Sequence, residues 1–451
     1  MSILNTRFYL VLSLLLAAGA QAQDYHPHHL LIKMKNGQRL NSSPYIKESQ
    51  ELIKDLYLVK TDHLEILENT AKTWQVEYVE KDYYHQKEAL PDIEFTDNYV
   101  LDHSPSYRSF TGSFNDEYIN RLWAFDSKWG MSVTEAYDQL PPWYPAEVIV
   151  AVVDTGVDYN HPDLVNVMWK NLREIPGDGI DNDGNGYVDD VYGINTVSRH
   201  RLSRRASTDP MGSHWHGTHV AGTIAADQNN GIGIAGVANN VKIMAIRAVP
   251  DNSNETDSDI IESFIYAAKH GAKIINCSFG KSEARSFAVR DTINAIGKDF
   301  GVLVIAASGN NSMGPFRWYD IDERPQYPAS FDSENLLTVA STTKRGDLSS
   351  FSNIGKISVD LAAPGSDIFS TVKGNRYQTS DGTSMATPNV SGVAAMVLGY
   401  FPELTPVEIK NILMSSVKRQ KSFEGMMRSP GVVNLKGALK AAEEYREKRW
   451  R

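Results

Sequence analysis

Asp381-Gly382-Thr383-Ser384-Met385-Ala386-Thr387-Pro388 is the stretch on which the reading of this chain turns. It presents one hydroxyl, Ser384, where a loop becomes a helix, among residues too small to cover it. The residues that follow, from Asn389 to Phe401, include Val390, Val393, Ala394, Ala395, Met396, Val397 and Leu398. They are apolar on nearly every face, as a helix running through a core must be. Pro388 lacks an N–H and fits the first helical turn, which predicts a helix start within about one residue of Ser384. A serine there lies beside the first-turn N–H groups and the positive end of the helix dipole, a setting suited to an oxyanion. An ordinary N-cap serine has the same local sequence, so Ser384 alone decides nothing.

Around this stretch, from about residue 119 to the end, short apolar runs alternate with helical stretches. The runs are Val148–Val153, Val241–Val249, Ile274–Phe279, Val302–Ala307, Leu336–Ala340 and Val359–Leu361. Helical patterns fall at 216–227, 258–270, 286–300 and 405–416. Strands without polar alternation are buried on both faces. The expected fold is therefore α/β, a mostly parallel sheet flanked by helices on both faces. In such sheets the working residues gather at the carboxyl ends of the strands.

Three further segments obey that rule. The run Val148–Val153 ends in Asp154-Thr155-Gly156, which sets a carboxylate at the end of a buried strand. His216-Gly217-Thr218-His219-Val220-Ala221-Gly222 opens a helix whose small residues allow close packing. The run Val302–Ala307 ends in Ser308-Gly309-Asn310. Together with Ser384 these segments hold what acyl transfer requires. A serine hydroxyl needs a base, the imidazole of His216 titrates near neutral pH, and the Asp154 carboxylate fixes its tautomer. The side-chain amide of Asn310 supplies a donor for the tetrahedral oxyanion. The rival chemistries lack a part. An aspartic-protease reading needs a second Asp-Thr-Gly, and a zinc reading of His214, His216 and His219 needs a carboxylate at metal-site spacing.

These four segments resemble the subtilisin-like (subtilase) serine peptidases. The chain order Asp, His, Ser is the subtilisin order, unlike that of chymotrypsin or the α/β-hydrolases. The similarity runs from about residue 119 to 445 and includes Phe351-Ser352-Asn353 and Ala362-Ala363-Pro364-Gly365. The resemblance implies that Asp154 orients the base, His216 is the base and acid, Ser384 the nucleophile and Asn310 part of the oxyanion hole. Ile275-Asn276-Cys277-Ser278-Phe279-Gly280 resembles the family's substrate-lining strand, which implies substrate contacts at Ser278, Phe279 and Gly280. Asn389 stands where many relatives carry histidine, a departure expected to change helix packing and leave the chemistry intact.

The front of the chain reads separately. Residues 1–22 have a signal-peptide pattern: Arg7, an apolar run from Phe8 to Ala18, then Ala20-Gln21-Ala22 as a cleavage site. Residues 23–110 read as a small α/β domain whose end falls between 88 and 118, where Pro91, Pro105 and Gly112 mark a linker. Strands are expected at Leu30–Met34, Leu56–Val59 and Trp74–Glu80, and helices at 46–55 and 62–72. His26, His28 and His29 are read as a flexible new N-terminus. Val76 to Glu80, followed by Lys81-Asp82-Tyr83, resembles the last strand of a subtilase propeptide, which implies an intramolecular inhibitor that helps folding and is then cut away. The catalytic domain is expected over 119–445, a tail over 446–451, and no appended binding domain.

The 451 residues carry a net charge of −10, which argues against nucleic acid as a partner. Beyond the signal segment no stretch approaches a membrane span, so a secreted or periplasmic monomer acting on protein or peptide substrates is expected. Cys277 is the only cysteine, which excludes an internal disulfide; a buried, inert thiol is expected there. Between the Asp154 and His216 segments lies Asp178-Gly179-Ile180-Asp181-Asn182-Asp183-Gly184-Asn185-Gly186-Tyr187-Val188-Asp189-Asp190. Asp181, Asp183 and Asn185 take the first, third and fifth places of an EF-hand-type loop and Gly186 the sixth. Tyr192 takes the place of the usual glutamate, leaving Asp189 or Asp190 to close the shell. Such oxygen ligands suit a structural Ca²⁺; no organic cofactor is expected. The basic loop Arg199–Arg205 is read as a solvated surface loop. An inactive binding protein on the same fold is the alternative, as is an esterase; the intact four residues oppose the first and the lack of a Gly-x-Ser-x-Gly elbow the second.

Overall fold

The computed structural model describes residues 25–84, 114–126, 128–197, 208–251, 255–282, 285–314 and 317–449. The expected signal peptide, most of the 88–118 linker and the 199–205 loop lie outside these residues. The chain divides into two compact units at Tyr84/His85.

The first unit is a four-stranded antiparallel sheet with strand order β2-β3-β1-β4. The strands are β1 (Tyr25–Met34), β2 (Glu48–Ile53), β3 (Leu56–Lys60) and β4 (Val76–Tyr83), with helix α1 (Leu64–Ala71) packed against them. Leu30, Ile32, Met34, Val59 and Leu67 form its core. Two expectations fail here. Residues 46–55 do not form a helix: Asp55 turns the chain at φ 63°, and Glu48 to Ile53 pair antiparallel with β3. Strand pairing overrides the helical propensity of a Glu- and Gln-rich stretch. Nor is the histidine segment a loose end. It belongs to β1, with Tyr25 opposite Tyr83, and His29 Nδ1 lies 3.2 Å from the buried Asp82 carboxylate.

The second unit is built on a nine-stranded sheet of order β16-β17-β13-β12-β10-β8-β5-β7-β6. Its strands are β5 (Val148–Asp154), β6 (Gly193–Asn195), β7 (Val241–Arg247), β8 (Ile274–Cys277), β10 (Leu303–Ala307), β12 (Leu336–Thr342), β13 (Leu361–Pro364), β16 (Lys418–Arg419) and β17 (Gly431–Val432). Every pairing is parallel except β16–β17. The central strands are buried on both faces, as their unbroken apolar runs require. Helices α2 (Val133–Tyr137), α3 (His216–Ala225), α4 (Asp257–Lys269), α5 (Phe287–Phe300), α6 (Thr383–Tyr400), α7 (Pro406–Ser415) and α8 (Leu435–Arg449) accompany it, with two further strand pairs, β9 (Lys281–Ser282) with β11 (Gln326–Tyr327) and β14 (Ile368–Val372) with β15 (Arg376–Ser380). The tail expected from residue 446 instead continues α8, held by Tyr445 and Arg449 on Glu408 at 2.7 and 3.1 Å.

All eighteen residues of α6 are buried. It starts at Thr383, as its sequence predicts, but Pro388 is its sixth residue and so lies past the first turn. Proline there cannot donate to the carbonyl four residues back, which is that of Ser384. The Ser278 hydroxyl donates to this carbonyl instead, at 2.9 Å. The defect in the helix is therefore what ties α6 to the end of β8.

Candidate active site

Asp154 ends β5 and His216 opens α3, and the close approach of these elements is written in glycine. A Cβ at Gly217 would stand 2.2 Å from the Gly156 carbonyl oxygen and 3.1 Å from the Asp154 Cβ. The imidazole is thereby set on the carboxylate, with His216 Nδ1 2.8 Å from Asp154 Oδ1. Asp154 is 1 % exposed and His216 2 %. The same oxygen accepts the Thr155 N–H at 2.7 Å, and the Gly217 N–H donates to Thr155 Oγ1. A carboxylate accepts only, so the ring proton lies on Nδ1 and Nε2 keeps its lone pair. Nε2 is buried without a hydrogen-bond partner among the described residues.

Ser384 and Asn310 line one cleft with Asp154, His216, Ser278, Phe279 and Gly280. Each residue expected from sequence to act or bind there is thus in it. The Ser384 hydroxyl donates to the Ser278 carbonyl at 2.9 Å while Ser278 Oγ donates back to the Ser384 carbonyl. Ser278 Oγ in turn accepts from Asn276, whose Oδ1 takes the Ser391 hydroxyl, so a buried polar chain fixes the nucleophile's peptide. Asn310 is oriented by Thr383, whose N–H and hydroxyl both donate to Asn310 Oδ1, at 2.9 and 3.0 Å. This turns its NH₂ away from Thr383, as an oxyanion donor requires.

Three neighbours complete the description. Cys277 is fully buried, and burial beside the Asp154 charge raises its thiol pKa, so it is the inert thiol expected. Asn389 is buried and donates to the Pro364 and Met385 carbonyls. It therefore packs α6 against the end of β13 and leaves the cleft untouched. His219 sits one turn below His216, its Nε2 3.0 Å from the Ile368 carbonyl. Burial, with the nearby His216, pushes its pKa down to about 3.

The acidic loop is a separate place. Asp181 and Asp183 come together with Glu174, one carboxylate oxygen from each lying within 4.8 Å of the others. Glu174 was not singled out from sequence. It is drawn in because its carboxylate accepts the N–H groups of Asn182, Asp183 and Asp189. Asn185, Asp189 and Asp190 are placed differently. Asp189 caps the Gly177 and Gly179 N–H groups, and Asp190 accepts from Asn171, Asn185 and Tyr266. These three shape the loop from behind.

Fold, strand order and cleft describe a mostly parallel α/β scaffold with a buried Asp–His pair in the cleft that a helix-start serine also lines. The chain belongs to the subtilase family, whose model matches residues 146–434. It is 33 % identical over 341 residues to Subtilisin-like protease 1 of Plasmodium berghei, a match covering 73 % of this chain and 55 % of that protein. It is 30 % identical over 419 residues to the Extracellular basic protease of Dichelobacter nodosus, covering 86 % and 62 %. Among solved structures it resembles fervidolysin from Fervidobacterium pennivorans, described as a keratinolytic enzyme related to subtilisin. That likeness has a TM-score of 0.68 at 24 % identity and covers 94 % of this chain and 62 % of that one. The chain spans about half the length of the Plasmodium relatives it matches.

Proposed function

We propose that this protein is a serine endopeptidase that cleaves protein or peptide substrates through an acyl-enzyme. The observation that carries the reading is the buried Asp154–His216 pair, with the outer imidazole nitrogen left to accept a proton in the cleft that Ser384 and Asn310 line. Ser384 Oγ exchanges the Ser278 carbonyl for His216 Nε2, gives up its proton and attacks the substrate carbonyl carbon. The oxyanion forms against the Asn310 NH₂ and the first-turn N–H groups of α6. Imidazolium then returns the proton to the leaving amine, and water repeats the sequence on the ester. Asp154 stays ionised and stabilises the imidazolium. The Ser278–Gly280 segment, at the cleft wall, binds the substrate chain.

A structural Ca²⁺ belongs to this reading. Calcium–oxygen distances near 2.3–2.6 Å put ligand oxygens of one ion within about 5 Å of one another, which the Glu174, Asp181 and Asp183 oxygens satisfy. They would hold the ion, and it would neutralise their mutual repulsion without entering the reaction. The first unit is assigned as a propeptide that inhibits its own enzyme until cut away. Export to the periplasm or medium follows from the signal-peptide pattern. No helix among the described residues is long and apolar enough to cross a membrane. A monomer is the working state.

The test is intact-mass and N-terminal analysis of the purified full chain, wild type beside Ser384→Ala, with calcium, together with a casein digest. Wild type is expected to shed a fragment ending between residues 88 and 118 and to digest casein. Ser384→Ala is expected to stay whole and lose about 10⁶-fold in turnover, a magnitude taken from subtilisin itself and not from this geometry. Equal casein digestion by the two proteins would end the proposal. An uncut wild type that digests casein would remove only the propeptide assignment.

A further inference from the structure

The hairpin of β14 and β15 stands apart from the main sheet, and no step described above uses it. It nevertheless joins the three segments that carry Asp154, His216 and Ser384. On the His216 side, the Ser370 and Thr371 hydroxyls donate to the His219 and Thr218 carbonyls of α3, at 2.7 and 2.8 Å. Those carbonyls lie inside the helix and already accept the N–H four residues on, so the hydroxyls use their second lone pairs. The helix does not need these bonds; its place against the hairpin does. The fit is close, since a Cβ at Gly222 would stand 2.1 Å from Thr371 Oγ1. On the Asp154 side, Asp158 Oδ2 accepts the Gly374 N–H at the hairpin turn, and the Asp158 N–H donates to Thr218 Oγ1. On the Ser384 side, β15 runs directly into Asp381-Gly382-Thr383, and the Gly382 N–H donates to the Gly365 carbonyl just ahead of β14.

We propose that Ser370 and Thr371 are positioning residues for the proton transfer from Ser384 to His216. This rests on the endopeptidase reading and deepens it. Ser384 Oγ donates to the Ser278 carbonyl, and His216 Nε2 has no hydrogen-bond partner among the described residues, so no bond between the two sets their spacing. That spacing comes from the elements that bear them, α3 and the start of α6, and the hairpin is tied to both. The two hydroxyls lock α3 in place, and with it the gap that the Ser384 proton crosses to Nε2. Both side chains are fully buried and neither lines the cleft, so they act through His216 and not on the substrate. A misplacement of about 1 Å that arises far from the chemistry costs roughly 100-fold in rate, which makes such a clamp worth its place.

The experiment uses the full chain, matured as it matures itself, with active sites counted by stoichiometric labelling with diisopropyl fluorophosphate. Thr371→Val removes a hydroxyl and keeps the shape, Thr371→Ser keeps the donor, and Ser370→Ala removes the second clamp. Per labelled site, Thr371→Val is expected to lose roughly tenfold in kcat and the double variant with Ser370→Ala about 100-fold, with KM within about twofold of wild type. Thr371→Ser is expected to keep the wild-type kcat. Hydroxyls that only stabilise the fold would lower the number of sites and the thermal midpoint and leave kcat per site alone. Unchanged kcat per site in the double variant, or in Thr371→Val should the double variant fail to fold, overturns the proposal. So does a loss in Thr371→Ser as deep as in Thr371→Val, or a loss confined to KM. Wild type cutting nothing beyond the Ser384→Ala background would remove the endopeptidase reading and this inference together, whereas an active wild type with unaffected variants removes only the inference.

Discussion

The cleft and the acidic loop bring their polar groups together by opposite means. In the cleft the partners are far apart in sequence: 62 residues separate Asp154 from His216, and 106 separate Ser278 from Ser384. Each is held at the end of a buried strand or the start of a buried helix, so the geometry exists only when the whole sheet does. Around Glu174, Asp181 and Asp183 the bonds span 15 residues or fewer, from Asn185 on Asp183 to Asp189 on Glu174, while Asp190 behind them is tied to a distant residue, Tyr266. The cleft gathers complementary groups, a carboxylate and an imidazole. The loop gathers like charges, and the Asp and Glu carboxylates that meet there repel one another until a cation intervenes. Burial has already raised the Glu174 pKa, the sign expected of a carboxylate set among others. A single substitution in the cleft should therefore remove chemistry and spare the fold, and in the loop the reverse.

Among changes that leave the Ser384 nucleophile in place, the largest effect should come from Asp154→Asn. The amide is nearly isosteric, but its NH₂ donates to Nδ1 and so moves the ring proton to Nε2, where it blocks uptake of the Ser384 proton. A fall in kcat of about 10⁴ is expected, with a thermal midpoint close to wild type; the magnitude is that of the corresponding change in serine proteases generally. Activity within tenfold of wild type would show that the cleft's long-range geometry is not what drives the reaction. The loop gives the mirror image. Asp181→Asn with Asp183→Asn should lower the thermal midpoint by about 5 °C, the value for a ligand held at a hundred times its Kd, and leave kcat unchanged. Chelation should lower the wild-type midpoint similarly and the double variant's hardly at all. Identical wild-type midpoints with and without chelator would refute a stabilising calcium.

Why the cleft was legible in the sequence, and parts of the molecule were not, follows from the same contrast. Asp154, His216, Asn310 and Ser384 each stand where a buried apolar run stops or a small-residue helix starts, so one local pattern marks each of them and the parallel-sheet rule brings them together. Glu174 has no such mark: it lies seven residues before Asp181 and enters the loop through its bonds to backbone N–H groups. Pro388 marked the start of α6 correctly for the wrong reason, because the Ser278 hydroxyl that replaces its missing bond comes from 106 residues away. The β2 strand was hidden by helix-forming residues that only a tight turn at Asp55 commits to a sheet.

The smallest predicted effect, on acid stability, separates the two regions by range of pH. His219 is fully buried and neutral, its pKa held down to about 3 by burial and by His216, and burial lowers the pKa of His161 as well. An unfolded histidine takes up its proton as the pH falls through about 6.5, whereas the folded His219 does not until about 3. Between these values the unfolded state binds more protons, so stability must fall as pH falls, by at most about 1.4 kcal/mol per pH unit for this group. Loop carboxylates that held a cation would respond at lower pH, because a bound cation favours their ionised form. With calcium saturating, denaturant midpoints should therefore decline from pH 6.5 to 5, and His219→Gln should decline less steeply than wild type. Parallel slopes for the two proteins would assign the acid sensitivity elsewhere. A flat wild-type profile down to pH 5 would mean that folded His219 takes up its proton as readily as the unfolded chain does, and would overturn the account of it as a buried neutral imidazole.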